Sequence, residues 1–428
     1  MTHPTPARPE QVFTYGAPQL KFGPGSSDEI GYDLSTTGAT RALVVTDSGI
    51  AASGGPRKVA DQMSEFGVDS VIFDGSHVEP TDRSMAEAVA FARENGPFDA
   101  IVAVGGGSSI DTAKAVNLML TNDGDLLDYV NAPVGGGKAP TSPLLPLIAV
   151  PTTTGTGAES TTVCVLDVLD QHVKSGISHA RLRPMMAVID PELTVSQPPM
   201  VTASAGMDIL CHALESYTAR PYTTYEHKAP EQRVPYCGSN PIADMWCEKA
   251  LDLMSGSFRT AVADGANTEA RGAMAMAATF AGMGFGNAGV HLPHANAYPI
   301  AGQVKGFRPD DYPGDEAMVP HGMAVALTAP AAFRFTFDAA PERHLAAARR
   351  LAPDATHADD RELLPSVLVA LYQDIGIPNG LAAVGFSESD LDALVEGTMK
   401  QQRLLTTAPR PVEAADAREV LAQAMRLW

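Results

Sequence analysis

A chain of 428 residues, 45% hydrophobic and 19% charged, has enough apolar material for two or three globular domains. A net charge of −20 argues against nucleic acid or an anionic membrane surface as partner, because phosphate groups are bound by basic faces. Cys164, Cys211, Cys237 and Cys247 show no Cys-x-x-Cys spacing and read as reduced thiols, not as a disulfide scaffold.

The first residues, Met-Thr-His-Pro-Thr-Pro-Ala-Arg-Pro-Glu, carry neither an apolar signal core nor an Arg-rich amphipathic stretch. No run of about 18 apolar residues follows. The default expectation is a cytoplasmic address with no membrane partner.

Strand-like apolar runs come next at Ala42–Thr46, Ser70–Phe73 and Ala100–Val104, separated by helix-compatible stretches such as Ser84–Arg93. Further short runs at Leu147–Val150 and Met186–Ile189 continue the alternation. A β-α-β rhythm of this kind predicts a parallel sheet covered by helices on both faces.

Asp47 closes the first of these runs, where a carboxylate can accept a hydrogen bond from an adenosine ribose and disfavour a 2′-phosphate, or can simply cap a helix. The third run ends in Gly105-Gly106-Gly107-Ser108-Ser-Ile-Asp111, a triple-glycine turn followed at once by a helix start. Side-chain-free turns let a pyrophosphate approach backbone N–H groups, and the helix N-terminus adds partial positive charge. The spacing is neither Gly-x-Gly-x-x-Gly nor a Walker loop. Gly135-Gly-Gly-Lys138 repeats the glycines, but Pro133 and Pro140 bracket it, so it reads as a surface loop. A second ligand turn, Pro151-Thr152-Thr153-Thr-Gly155-Thr156-Gly157, follows the fourth strand with hydroxyls suited to phosphate and ribose.

Pro191, Pro198 and Pro199 break helix and strand alike, which places a boundary near Asp190-Pro191. We expect an α/β dinucleotide-binding domain over 1–195 and an all-α domain over 196–428. Beyond Val201 strand-like runs nearly vanish, and Glu269–Ala281 and Pro341–Leu351 favour helix. Two polar, Pro-rich stretches, 220–240 and 303–319, interrupt the helical half and carry Arg220, Lys228, Arg233, Lys305 and Arg308 as candidate partners for a carboxylate.

The helical half holds Asp208 and His212, four apart and therefore on one helix face, followed by His294 and His321. One carboxylate and three imidazoles suit a divalent Fe, Zn, Mn or Co ion, and the lack of thiolates argues against a closed structural zinc cage. An Asp and a His at this spacing also form ordinary helix salt bridges. The nucleotide turns upstream tip the balance towards a catalytic metal.

These motifs together resemble the iron-containing (group III) alcohol dehydrogenases, which share their two-domain fold with dehydroquinate synthase and glycerol dehydrogenase. The resemblance runs nearly end to end. It implies a metal, Fe2+ first with Zn2+ or Mn2+ as alternatives, on Asp208, His212, His294 and His321. It also implies NAD(H) along Asp47, Gly105 to Ser108, Thr152, Thr153 and Lys174; Asp111, Gly155 and Thr156 are further candidates within the two turns. In the family's usual His-x-x-x-His stretch, Tyr298 stands here in place of the second histidine, and an additional His291 precedes His294. Tyr298 and, alternatively, His291 become the candidate proton donors or polar positioners.

Gly284–His294, Tyr236–Ile242, Met318–Ala331 and Asn379–Gly385 are similar to one subgroup, the hydroxyacid-oxoacid transhydrogenases. That likeness implies oxidation of a hydroxy acid such as 4-hydroxybutyrate and reduction of 2-oxoglutarate, with a tightly held nicotinamide recycled in place. The alternative is an NAD-dependent alcohol dehydrogenase that releases NADH. Expected partners are small hydroxy acids, oxo acids or alcohols, and a second copy of the chain in a homo-oligomer, a dimer first.

Overall fold

The computed structural model describes residues 8–171, 173–312 and 316–428. They form two compact units, one of 17–202 with 264–282, the other of 8–16, 203–263 and 283–428.

The first unit is built on a sheet of six parallel strands: β1 (Gln19–Phe22), β2 (Arg41–Val45), β3 (Asp69–Phe73), β4 (Ala100–Gly105), β5 (Leu147–Pro151) and β8 (Met186–Ile189), in the order β1-β8-β5-β4-β2-β3. The hairpin of β6 (Val163–Val168) and β7 (Val173–Ser178) is separate and antiparallel. Successive side chains of a strand point to opposite faces. Accordingly Leu43, Val45, Ile101 and Ala103 join Met85, Val89, Ile110 and Val116 in one core, whereas Ala42, Val44, Val102 and Val104 join Ile30, Leu34, Val59 and Met63 in the other. β4 is buried along its whole length, which is why it reads as a continuous apolar run.

Five of the strands lie where the apolar runs predict them. β1 and the β6–β7 hairpin were not expected. β1 has only four residues, three of them exposed, at the sheet edge, and β7 carries Lys174-Ser-Gly in its interior, so neither stands out by composition. The order reverses between β2 and β4. The turns after these two strands therefore diverge, leaving the kind of crevice at strand carboxyl ends in which sheet ligands bind.

The second unit is helical, with helices that include Pro241–Ala263, Leu292–Gly302, His321–Thr336, Pro341–Leu351 and Leu363–Ile375, and most of Pro199–Thr218. The units divide at Thr202, not at 195, and two segments cross over. Residues 8–16 pair with the stretch after Thr218: Glu10 N donates to Tyr225 O (2.9 Å), His227 N to Arg8 O (2.8 Å), and Gly16 exchanges two bonds with the Asn287 amide. Residues 264–282 are held in the α/β unit by Arg271, which donates to Thr202 Oγ1 (2.6 Å) and Gln197 O (2.7 Å). Long-range hydrogen bonds of this kind leave no trace in local composition.

Among the described residues no single helix is long and apolar enough to cross a membrane.

Candidate active site

The glycine turn after β4 opens the helix Gly107–Thr121, whose N-terminus has no side-chain cap, so its first N–H groups stay available to an anion. A Cβ on Gly106 would lie 3.2 Å from Thr153 Oγ1, and one on Gly107 would lie 2.7 Å from Thr156 Oγ1. The glycines are thus required by the second turn, which sets Thr153 and Thr156 directly against the first. A Cβ on Gly105 would meet Ser109 Oγ at 2.5 Å.

Asp47 stands beside this cradle: its carboxylate caps Ile50 N (3.0 Å) and accepts from Ser109 Oγ (3.4 Å). Thr46 Oγ1, Ser76 Oγ and Thr152 Oγ1 are buried and have no hydrogen-bond partner, and each follows the carboxyl end of a sheet strand. Orphaned hydroxyls around an uncapped helix start suit a nucleotide. Thr46 and Ser76 escaped the sequence reading, although a hydroxyl just past a strand end is a usable signal.

Two expected cofactor residues are turned to other partners. Asp111 faces buried Lys114 (3.4 Å) and accepts Val165 N (2.9 Å), tying the helix to β6. Lys174 pairs with Glu79 and lies 3.5 Å from Asp167; Glu79 itself sits at φ 58° in the left-handed region. Gly155 is buried within its turn and Ser108 is half-buried in the first helical turn.

In the helical unit, Asp208 and His212 project from one face of Pro199–Thr218. Around Asp208 Oδ1 stand His294 Nε2 at 3.4 Å, His212 Nε2 at 3.6 Å and His321 Nε2 at 3.7 Å. Donors about 2.1 Å from a tetrahedral ion lie about 3.4 Å apart, so these separations match a metal's coordination edges. Asp208, His294 and His321 form a group whose ligand atoms all lie within 4.8 Å of one another; His212 is not part of it. His212 stacks between Phe285 (centroids 3.9 Å) and His294 (4.6 Å). Asp208 Oδ1 and His294 Nε2 are buried without a hydrogen-bond partner, as metal-facing atoms should be.

Close helix packing brings the four together. Gly322 follows His321 because any Cβ there would overlap the Ser204 carbonyl oxygen, and Ser204 Oγ accepts Met323 N (3.2 Å) at the start of the His321 helix. Gly206 likewise admits the Phe258 ring.

Charge in the pocket is finely divided. Burial pushes His212 down to about 3 despite Asp208. Burial also disfavours a charged His294, yet Glu215 and Asp208 raise it to about 9. Burial opposes ionisation of Asp208, but the surrounding imidazoles hold it below the usual carboxylate range.

Tyr298, one turn after His294, brings its ring to 5.9 Å from His321. His291 is fully buried with Nε2 on Thr218 Oγ1 (3.1 Å), and burial pushes it down to about 4. Of the two candidate proton donors, the structure brings Tyr298 beside His321 and turns the His291 ring to Thr218. Glu215, missed in the sequence although it stands seven residues past Asp208 on the same helix face, receives His294 Nδ1 at 2.6 Å.

The insertion cations are already engaged. Arg233 pairs with Glu10 (2.9 Å), Lys305 with Asp390 (2.8 Å), and Arg220 lies 4.3 Å over the Tyr225 ring, with Lys228 at 5.4 Å from the same ring. Arg308 Nη2 reaches Tyr312 O at 3.5 Å. Part of the second stretch, 313–315, lies outside the described residues.

Residues 17–191 match the family model described as iron-containing alcohol dehydrogenase, and residues 202–425 match that of the C-terminal part of the same family. The chain belongs to the iron-containing alcohol dehydrogenase family. Within it, the chain is 43% identical over 425 residues to the mitochondrial hydroxyacid-oxoacid transhydrogenase of Bos taurus, covering 98% of this chain and 91% of that protein. The corresponding Homo sapiens protein is 42% identical with the same coverage. Among solved structures, a 1,3-propanediol oxidoreductase superimposes with TM-score 0.84 at 31% identity, covering 97% of this chain and 100% of that one. A sulfoacetaldehyde reductase from Bifidobacterium kashiwanohense, solved in complex with NAD+, superimposes with TM-score 0.81 at 27% identity, covering 97% and 99%.

The relatives' names overturn the expected cytoplasmic address: the curated transhydrogenases are mitochondrial proteins. That expectation rested on the lack of a leader-like segment, and a lack of signal does not specify a compartment.

Proposed function

We propose that this protein is a metal-dependent hydroxyacid-oxoacid transhydrogenase, an oxidoreductase acting on CH–OH groups. It moves a hydride from a hydroxy acid such as 4-hydroxybutyrate, by way of bound nicotinamide, to 2-oxoglutarate. The observation that carries the subgroup is the 43% identity to a hydroxyacid-oxoacid transhydrogenase over 98% of the chain. The unpartnered donors around Asp208 Oδ1 support the metal requirement.

A divalent ion held by Asp208, His212, His294 and His321 supplies Lewis-acid polarisation of a substrate oxygen, and NAD(H) supplies a two-electron carrier. The donor set suits Fe2+ first, with Zn2+ or Mn2+ as alternatives. The chain's own residues do the rest. The glycine turn and helix start hold the pyrophosphate, Asp47 the adenosine ribose, and Thr152, Thr153 and Thr156 the adjacent hydroxyl and phosphate groups. Tyr298 orients the substrate oxygen or passes its proton, since its ring stands beside the most exposed ligand, His321.

Electrons balance without an external oxidant: the hydroxy acid loses two electrons and two protons, and the oxo acid gains them. A homodimer is part of this proposal. The substrate carboxylate is not assigned to the insertion cations, because Arg233 and Lys305 already hold carboxylates.

The test is an assay without added cofactor: purified holoenzyme with 4-hydroxybutyrate and 2-oxoglutarate, followed for 2-hydroxyglutarate by mass spectrometry. Many turnovers per enzyme support the transhydrogenase. Activity that needs added NAD and accumulates NADH would instead establish the alcohol dehydrogenase reading, which the family membership favours as the second choice.

A further inference from the structure

We infer that Glu215 is the positioning residue of the metal centre: one carboxylate fixes the tautomer and direction of His294 and holds the start of the helix that carries it. The inference rests on the metal reading above and is independent of the substrate pair.

Glu215 lies three residues past His212 and seven past Asp208, so all three project from one face of the same helix. It is fully buried, and each of its oxygens has a separate task. Oε1 stands 2.6 Å from His294 Nδ1. An ionised carboxylate only accepts, so Nδ1 keeps its hydrogen, and when a metal displaces the other ring proton the lone pair is freed on Nε2. Nε2 is the very atom that is buried without a hydrogen-bond partner, 3.4 Å from Asp208 Oδ1. Glu215 thereby leaves the metal-facing nitrogen of His294 ready to ligate.

Oε2 accepts His291 N at 2.6 Å and His294 N at 3.4 Å. These N–H groups flank the first turn of Leu292–Gly302, whose N-cap residue, His291, offers no side-chain cap. A carboxylate at a helix start satisfies orphan donors and meets the positive end of the dipole. Glu215 performs this capping from another helix, so the backbone and the ring of His294 are set by the same group.

A second contact between these segments provides the control. Thr218, three residues past Glu215, donates its only hydroxyl hydrogen to Leu214 O (2.8 Å) and so accepts from His291 Nε2 (3.1 Å). That contact braces the segment without touching a metal ligand.

The test compares wild type, Glu215→Gln and Thr218→Val. Zn2+ affinity is measured by chelator competition, and histidine tautomers by 15N-detected NMR of the Zn2+-loaded protein. We expect Glu215→Gln to lose about 10- to 100-fold in Zn2+ affinity. Thr218→Val should lower thermal stability while keeping Zn2+ affinity within about twofold. In wild type the His294 ring should show a protonated Nδ1 and a metal-bound Nε2. Unchanged affinity in Glu215→Gln, or an equal loss in Thr218→Val, overturns the inference. If Glu215→Gln does not fold, the wild-type spectrum decides alone, and a His294 ring protonated on Nε2 overturns it. Wild type that binds no Zn2+ overturns the metal reading as well.

Discussion

Gly322 sits against Ser204 with no room for a side chain, and this contact sets His321 within 3.7 Å of Asp208. Both partners are backbone atoms or nearly so, and neither can step aside without moving a whole helix. Gly322→Ala should therefore cost about 1–3 kcal/mol of stability and lower bound metal together. Thermal unfolding and metal analysis of the purified variant check this; full metal content at unchanged stability would contradict it.

The glycine cradle makes a separable prediction. Gly107→Ala drives a methyl group into Thr156, closing the space over the helix start. Nucleotide affinity should fall at least about tenfold while metal content stays at the wild-type level. Extracted nucleotide and metal measured on the same sample distinguish this from general misfolding.

Asp208→Asn removes the charge at the centre of three imidazoles while keeping the side chain's size. Metal affinity should fall by more than the roughly 100-fold that loss of an outer partner costs, and turnover should vanish with it. Chelation of wild type should abolish activity in the same way, and divalent ion alone should restore it. Activity that survives metal removal would rule out the metal mechanism.

Tyr298→Phe keeps the ring beside His321 and removes only the hydroxyl. If that hydroxyl carries or positions the substrate proton, kcat should fall about 100-fold or more with metal and nucleotide content unchanged. An unaltered kcat would assign Tyr298 to packing.

His344 provides the pH dependence. It is buried against Thr336 and Ala340 O, and burial pushes it down to about 4. An unfolded histidine titrates near 6.5. Between these values the unfolded chain binds more protons, so stability falls as pH falls, by up to about 1.4 kcal/mol per pH unit for this group. Denaturant unfolding at pH 7 and pH 5 should show a smaller acid loss in His344→Asn than in wild type; equal losses would exclude a buried neutral His344.

Much of this architecture is legible locally. Burial on both faces of a parallel sheet makes β2, β4 and β5 continuous apolar runs, and glycines at a strand end mark a backbone that something approaches closely. Asp208 and His212 could be paired because a helix repeats every 3.6 residues. The same periodicity reaches Glu215, but a glutamate in a helix has many ordinary explanations, and only its 2.6 Å contact with His294 singles it out.

The amino-acid order by itself determined the class of fold, and it singled out two turns at strand ends and Asp208, His212, His294 and His321 as candidates, because each depends on short-range geometry or on residue chemistry. Only the tertiary structure decided which candidates meet. It placed Tyr298 and not the His291 ring beside the cluster, turned Asp111 to Val165 N, spent Arg233 on Glu10, and moved residues 8–16 into the helical unit. Those outcomes depend on contacts between residues tens to hundreds of positions apart, and such contacts are set by packing of whole helices and strands, which no local pattern encodes.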